Sequence, residues 1–245
     1  MKRYFIYISY LGTNYSGWQI QPNAVTVQET VMQALSRILQ EPIHITGAGR
    51  TDAGVHARCM PAHFDREEAI ENLSKLMRGL NSLLPADISI YDLKEVAEDA
   101  HARFDATARE YEYHVVQHKS PFLTHLSTRF VLPLDFDAMN IAAQYLLEVQ
   151  DFTSFSKLHT DAKTNICDVR KAYWEKRGEE WVFTIEADRF LRNMVRAVVG
   201  TLFEVGLGRI DLEEFKQIVA AKNRCEAGHS VPADGLYLTQ VRYNY

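Results

Sequence analysis

The chain has 245 residues, of which 47% are apolar, enough for one large globular domain or two modest ones. It contains no run of about eighteen apolar residues, and its first residues lack the apolar segment and cleavage site of a signal peptide, so we expect no membrane span and a cytoplasmic protein. The net charge of −5 argues mildly against a polyanionic partner.

The first hundred residues alternate between strands and amphipathic helices. Residues 3–10 are aromatic and β-branched, which predicts a strand, and the loop that follows contains Trp18, which we expect to pack against the core. Thr26 and Glu29 form a capping-box pattern before a helix, and Asp65 and Glu68 repeat that pattern before a second one. Their apolar faces run through 27–39 and 69–80, and short strands are predicted at 43–45, 62–64 and 88–91.

The second half follows the same order loosely. Alternation predicts strands at 109–116, 169–176, 181–186 and 236–243. Helical spacing predicts helices over 137–148 and from Leu191 to Gly206, and Asp211 with Glu214 marks the start of a third.

The order strand, helix, strand, strand, helix, strand is that of a ferredoxin-like, or split βαβ, unit. We therefore predict an α+β fold of two related units, residues 1–105 and 106–245.

Residues 47–57 form a glycine-rich loop with an unusual charge pattern. Three glycines allow backbone conformations closed to other residues, and Arg50 and Asp52 lie two positions apart. A dinucleotide fingerprint would need glycine at position 52, and no Gly-Lys-Ser/Thr follows for a P-loop. The loop therefore presents an acid more plausibly than it binds a phosphate. The alternative is an Asx-turn or helix cap, in which the Asp52 side chain only binds nearby backbone N–H groups.

Cysteine and histidine spacings predict no disulfide and no metal site. The three cysteines are far apart, and neither His-Glu-x-x-His nor Cys-x-x-Cys occurs.

Several segments resemble, in order, the motifs of the tRNA pseudouridine synthase A (TruA) family. The longest is Gly-Arg-Thr-Asp-Ala-Gly-Val-His at 49–56. The others are Gly-Trp-Gln-Ile-Gln at 17–21, Leu-Pro-Ala-Asp-Ile at 84–88, residues 101–113, Asp-Phe-Thr-Ser-Phe at 151–155, Asn-Met-Val-Arg at 193–196 and Gly-Leu-Tyr-Leu at 235–238. One departure is Cys59-Met60-Pro61, where the family usually carries a Gly-Gln pair.

The resemblance implies two ferredoxin-like (RRM-like) domains with joined antiparallel sheets, an active cleft between them, and a homodimer. It implies conversion of uridine to pseudouridine at positions 38, 39 and 40 of the tRNA anticodon stem-loop. The reaction breaks the C1′–N1 bond and joins C5 to C1′ within one nucleotide, so we expect no cofactor. The resemblance makes Asp52 the catalytic group; attack on C6, attack on C1′ and removal of the C2′ proton all remain open.

The resemblance also assigns the partners of Asp52. Arg196 is placed against it, where a guanidinium would favour the charged carboxylate. Tyr111 is placed against the target base, although Tyr113 lies on the same strand face by the period of two. Arg50 is expected to fill the space vacated by a flipped uridine or to hold the displaced phosphate, with His56 as second choice or as a packing residue.

Further arginines fall in or beside these motifs, whereas acids cluster elsewhere, so we expect a locally basic RNA surface. The candidates are Arg103, Arg109, Arg189 and Arg192, the last sharing a predicted helix face with Arg196. Two alternatives are a non-catalytic RNA-binding protein on the same scaffold and a metal-dependent hydrolase that uses Asp52. The first would tolerate loss of Asp52, Tyr111 or Arg196, and the second would need ligands that the sequence does not offer.

Overall fold

The computed structural model describes residues 1–157 and 164–245. These form a mixed α/β structure of five α-helices and nine strands that pair mostly antiparallel. Two compact units are formed, one by residues 1–107 with 237–245 and the other by residues 108–236. Within the described ranges, no helix is long and apolar enough to cross a membrane.

The first unit contains two helices and a sheet whose central strands have the order β4-β1-β3. Strands β2 and β9 both pair with β3. All of these pairs are antiparallel except β3 with β9, which is parallel. The elements are β1 (Lys2–Tyr10), α1 (Val27–Leu39), β2 (Thr46–Gly47), β3 (His56–Arg66), α2 (Leu73–Leu83), β4 (Ile88–Val96) and β9 (Leu236–Arg242).

The apolar patterns explain why these elements form. Three consecutive residues of β1, Tyr4 to Ile6, are fully buried, as expected for a strand covered on both faces. Helix α1 buries Val31 and Leu35 along one face. The Thr26 side chain accepts from the backbone N–H of Glu29 at 3.4 Å, which confirms the predicted cap.

Two predictions in this unit are wrong. Residues 43–45 are not a strand, because pairing with β3 begins only at Thr46, opposite His63. Asp65 does not cap a helix. It lies in β3, and its carboxylate accepts two hydrogen bonds from the Arg3 guanidinium at 2.6 and 2.7 Å. Helix α2 is instead capped by Asn72, which accepts from the N–H of Lys75 at 2.8 Å.

The second unit contains an antiparallel sheet in the order β5-β8-β7, with β6 parallel to β5. Its elements are β5 (Ala108–Val116), β6 (Thr128–Arg129), α3 (Phe136–Tyr145), β7 (Val169–Arg177), β8 (Glu180–Ala187), α4 (Met194–Gly206) and α5 (Leu212–Ala221). The capping box of α5 at Asp211 and Glu214 is confirmed. The two-residue strand β6 is not predicted by the sequence.

Helix α4 is buried along nearly its whole length. It starts at Met194, so the predicted start at Leu191 is wrong, and Arg192 lies in the preceding turn rather than on a helix face shared with Arg196. Asn193 occupies the N-cap position with φ +66°, a left-handed conformation that asparagine tolerates better than most residues.

Candidate active site

Asp52 lies in the connection between β2 and β3 and is half-buried. The chain turns directly after it, with the N–H of Val55 donating to the carbonyl of Asp52 at 3.2 Å. Gly54 makes this turn possible, because its φ of +82° is the left-handed region that favours glycine. The carboxylate is thus carried by a tight turn rather than by a helix or strand.

The segment after β1 holds this loop from behind. The N–H of Trp18 donates to the carbonyl of Thr51 at 3.2 Å, and the N–H of Gly54 donates to the carbonyl of Tyr15 at 3.3 Å. A Cβ on Gly17 would lie 2.4 Å from the Thr51 carbonyl oxygen, so the two backbones are in direct contact. Trp18 is only 2% exposed, which confirms its predicted packing role.

Two buried polar contacts fix the loop on either side of Asp52. The hydroxyl groups of Tyr10 and Thr51 are 2.8 Å apart. The N–H of Gly12 donates to Nδ1 of His56 at 2.9 Å. His56 is fully buried with its ring 4.6 Å from that of Tyr237, so in this structure it packs inside and has no surface to offer RNA. The sequence does not predict this role of Tyr10, because an aromatic residue in a strand is ordinarily a packing residue.

The departure from the family pattern at residues 59–61 lies within β3. Pro61 is opposite Tyr7 of β1, and its carbonyl accepts from the N–H of Ala48 at the start of the loop at 2.8 Å. A proline at this position keeps the acceptor on which the loop depends.

Arg50 and Arg103 are exposed, and the first unit brings them together, although 52 residues lie between them in sequence. Both line a largely polar cavity of about 220 Å³, with Gln19 and Gln28 among its other walls. The Arg103 guanidinium also lies 5.8 Å from the ring of Phe104, which is 75% exposed. Two cations and an exposed aromatic ring on one surface suit a nucleic acid strand.

Two histidines shape the turn that carries Arg103. Nδ1 of His101 accepts from the N–H of Arg103 at 3.1 Å, and Nδ1 of His63 accepts from the N–H of Ala102 at 3.2 Å. Both acceptors require an unprotonated nitrogen. Burial, helped by the charges of Arg3 and His101, lowers the pKa of His63 to about 4.

In the second unit the two candidate tyrosines differ in accessibility. Tyr113 is fully buried, and its hydroxyl contacts Oγ1 of Thr128 at 2.6 Å and donates to the carbonyl of Pro232 at 3.0 Å. Burial raises the pKa of this phenol. Tyr111 is half-buried, with its ring edge-to-face against Phe190 at 5.0 Å. Tyr111 is therefore more exposed than Tyr113.

Arg196 lies in the first turn of α4 and is half-buried. Its Nε donates to the carbonyl of Val231 at 2.7 Å, and the N–H of Val231 donates back to the carbonyl of Arg196 at 3.2 Å. Its helical neighbours Val195 and Ala197 are buried, and Arg196 itself is partly shielded from water. Interactions of a charge are stronger in such surroundings than in water.

The other candidate arginines of this unit occupy different environments. Arg192 is exposed, while Arg109 and Arg189 are half-buried. Nη1 of Arg109 donates to the carbonyl of Asp188 at 2.9 Å, so part of its capacity is used within the unit. Over residues 1–157 and 164–245, no group of three or more histidine, cysteine, aspartate or glutamate side chains is arranged to hold a metal ion.

Comparisons with known proteins show which family the chain resembles. A family model described as tRNA pseudouridine synthase matches residues 6–105 and 142–244. The chain is 55% identical to tRNA pseudouridine synthase A of Parabacteroides distasonis, covering 99% of this chain and 96% of the relative. The enzyme of the same name from Bacteroides thetaiotaomicron is also 55% identical, at 99% and 91% coverage, and that of Exiguobacterium sibiricum is 39% identical, at 99% and 97%.

Proposed function

The chain belongs to the tRNA pseudouridine synthase family, an isomerase family that converts uridine to pseudouridine in tRNA, and from this premise we propose its target and its catalytic residues. The proposed targets are uridines 38, 39 and 40 of the anticodon stem-loop. The proposed catalytic group is the carboxylate of Asp52.

The observation that carries the assignment of Asp52 is the way its loop is held. Asp52 is half-buried and lies on a tight turn. The backbone at Gly17 and Trp18 contacts this turn from behind, and the buried hydroxyl of Tyr10 contacts Thr51 beside it. Positioning of this kind lowers a reaction barrier, since the reacting group need not search for its orientation.

The isomerisation needs little else in the way of chemistry. The C1′–N1 bond breaks, the uracil turns, C5 joins C1′, the C5 proton leaves and N1 gains a proton. Asp52 acts either as a nucleophile at C6 or C1′, or as the base that removes the C2′ proton. Arg196 is the proposed cation for the Asp52 carboxylate, supported by its partial burial and by the anchored Nε.

Tyr111 is the proposed stacking surface for the extruded uracil. Its half-buried ring supports this choice over Tyr113, which is fully buried. A uridine within a stem must leave the helix, and the lost stacking and pairing cost a few kcal/mol. Arg50 is the proposed side chain that offsets this cost by filling the vacated space or holding the displaced phosphate.

RNA contact is proposed for the arginines of both units. Arg50 and Arg103, on one cavity, and the exposed Arg192 are the stronger candidates, followed by Arg109 and Arg189. His56 is left out because it is fully buried. Contacts of this type recognise backbone and shape more than base sequence, which suits an enzyme with adjacent targets. We further propose a homodimer and a cytoplasmic location.

We also propose the ferredoxin-like description of both units, which meet in sequence near residue 105; the compact first unit also includes residues 237–245. The strand order β4-β1-β3-β2, antiparallel throughout, supports it for the first unit, and the order β5-β8-β7 supports it for the second.

The test is a carbodiimide-based map of pseudouridine in tRNA from cells that lack this protein. We expect the modification to be absent at positions 38–40, to return with the wild-type chain, and to stay absent with Asp52→Asn. The amide is nearly isosteric but is neither a useful nucleophile nor a base, so purified Asp52→Asn should bind tRNA with nearly unchanged affinity and turn over none of it.

Asp137→Asn, at an exposed position of α3, makes the same change of net charge elsewhere and should complement fully. Measurable turnover by Asp52→Asn, with deamidation excluded by mass spectrometry, would refute the assignment of the catalytic group.

A further inference from the structure

Residues 228–231, which we call the strap, run along one face of α4 in the second unit. At one end the N–H of Gly228 donates to Oγ1 of Thr201 at 2.9 Å. At the other end Val231 exchanges two hydrogen bonds with Arg196, as described above. The strap thus touches α4 at Arg196 and at Thr201, five residues or about 1.4 turns further along the helix.

The approach between strap and helix is too close for a side chain at the crossing. A Cβ on Gly200 would lie 1.7 Å from the carbonyl oxygen of His229, and one on Gly228 would lie 2.8 Å from the carbonyl oxygen of Gly200. Backbone packs directly on backbone here. Small shifts of the strap are therefore transmitted to the groups it binds on α4.

The position of the strap is set by Ser230. Its Oγ accepts a hydrogen bond from Nδ2 of Asn193 at 2.5 Å and another from Nη2 of Arg224 at 2.9 Å. Nη1 of the same arginine donates to the carbonyls of Ala227 and Gly228 at 3.3 and 3.1 Å. One serine hydroxyl thus joins the N-cap of α4, a guanidinium and the strap.

This junction is directly next to the group that holds Arg196. The carbonyl of Val231, the residue after Ser230, accepts the hydrogen bond from Nε. A planar guanidinium whose Nε is held has its remaining donors fixed in direction. Movement of Ser230 would move that carbonyl and turn the guanidinium.

We propose that Ser230, held by Asn193 and Arg224, is a positioning residue for the isomerisation, acting by orienting the guanidinium of Arg196. The inference rests on the role given to Arg196 under the proposed function. The positioning role explains why Ser230, Asn193 and Arg224 form a polar cluster. An apolar contact would keep the strap against α4 without fixing its orientation, whereas directional hydrogen bonds fix both its position and its orientation.

The first measurement is the single-turnover rate on an anticodon stem-loop RNA, beside the dissociation constant and the melting temperature. Ser230→Ala removes the acceptor, and Asn193→Gly removes the donor while keeping the left-handed backbone. Each should slow the chemical step about tenfold, the size of one hydrogen bond's net contribution, with RNA affinity within about twofold. Ser230→Thr keeps the hydroxyl and should recover most of the rate.

Asn140→Ala is the matched control in the same unit. It removes an amide that exchanges hydrogen bonds of 3.0 and 2.6 Å with the backbone of Trp174, away from the strap. It should lower the melting temperature and leave the chemical step unchanged. An equal loss of rate in Asn140→Ala would overturn the proposal, since the effect of Ser230→Ala would then be one of general stability.

The decisive measurement is a double-variant cycle with Arg196→Ala, or with Arg196→Lys if the alanine variant does not fold. If Ser230 acts through Arg196, adding Ser230→Ala to that background should cause little further loss of rate. Losses that multiply, or a wild-type rate for Ser230→Ala alone, would overturn the positioning role while leaving the proposed function intact. A wild-type rate for Arg196→Ala would instead remove Arg196 from the proposed function, and the positioning role with it.

Discussion

Replacing Gly17 by alanine should displace the loop that carries Asp52. Gly17 has φ +86°, where an L-residue costs about 1–2 kcal/mol. The new Cβ would lie 2.4 Å from the Thr51 carbonyl oxygen and 3.1 Å from the carbonyl carbon of Asp52. Because ordinary contact begins near 3.4 Å, the backbone before Asp52 must retreat by about 1 Å, the difference between 3.4 and 2.4 Å.

The expected loss of stability is the sum of the cost of the left-handed backbone and the cost of the steric overlap. Overpacking costs typically ~1–3 kcal/mol, so the total loss of stability should be roughly 2–5 kcal/mol, or a fall in melting temperature of roughly 4–20 °C. A catalytic group misplaced by about 1 Å can cost on the order of 100-fold in rate. Single-turnover kinetics on an anticodon stem-loop RNA and thermal unfolding measure the two effects separately.

Gly49→Ala is the control within the same loop. Gly49 is not among the glycines with positive φ, and no described atom lies within 4 Å of its Cβ position. This variant should be within about 0.5 kcal/mol of the wild type in stability and should keep the position of Asp52. Because Gly49 also lines the cavity of Arg50 and Arg103, its single-turnover rate is compared at saturating RNA, where it should equal that of the wild type. Wild-type turnover in Gly17→Ala, or an equal loss in Gly49→Ala, would show that contact behind the loop does not set the position of Asp52.

Two further predictions concern an aromatic ring and a buried imidazole. Tyr111→Phe keeps the stacking surface and should retain RNA affinity, whereas Tyr111→Ala should lose turnover; normal turnover in the alanine variant would redirect attention to Tyr113. His63 stays neutral in the fold down to a pKa of about 4, while the unfolded chain binds a proton below about pH 6.5, so the free energy of unfolding should fall by about 1–3 kcal/mol from pH 6.5 to 4. Urea unfolding should show a shallower fall in His63→Gln, and identical pH profiles would contradict the assignment.

Features that depend on a few neighbouring residues were predictable from sequence. The capping box at Asp211 is satisfied by Glu214 three residues away, so its pattern and its structure coincide. The same pattern at Asp65 and Glu68 led to a wrong prediction, because the Asp65 carboxylate instead accepts hydrogen bonds from Arg3, 62 residues away. A local pattern cannot show that a distant guanidinium competes for the same oxygen atoms.

The candidate site divides in the same way. The alternation of β5 places Tyr111 and Tyr113 on one face, and only burial distinguishes them, because Thr128 and Pro232 close over the second hydroxyl. The loop of Asp52 could be found from its glycines and charges. Its support by Tyr10 could not, since a strand tyrosine carries no mark of the hydroxyl it contacts 41 residues later.

Strand β9 has a consequence for the synthesis of the chain. It pairs with β3 beside His56, and the hydroxyl of Tyr243 donates to the carbonyl of Ala102 at 2.6 Å, yet residues 237–245 follow the whole of residues 108–236 in sequence. At ~5–20 residues per second, a ribosome needs on the order of ten seconds to translate the intervening unit. During that interval the nascent first unit exposes an unpaired edge of β3, next to the residues that anchor the Asp52 loop. Such edges invite pairing with other chains, so this edge of β3 is open to mispairing until β9 has been synthesised.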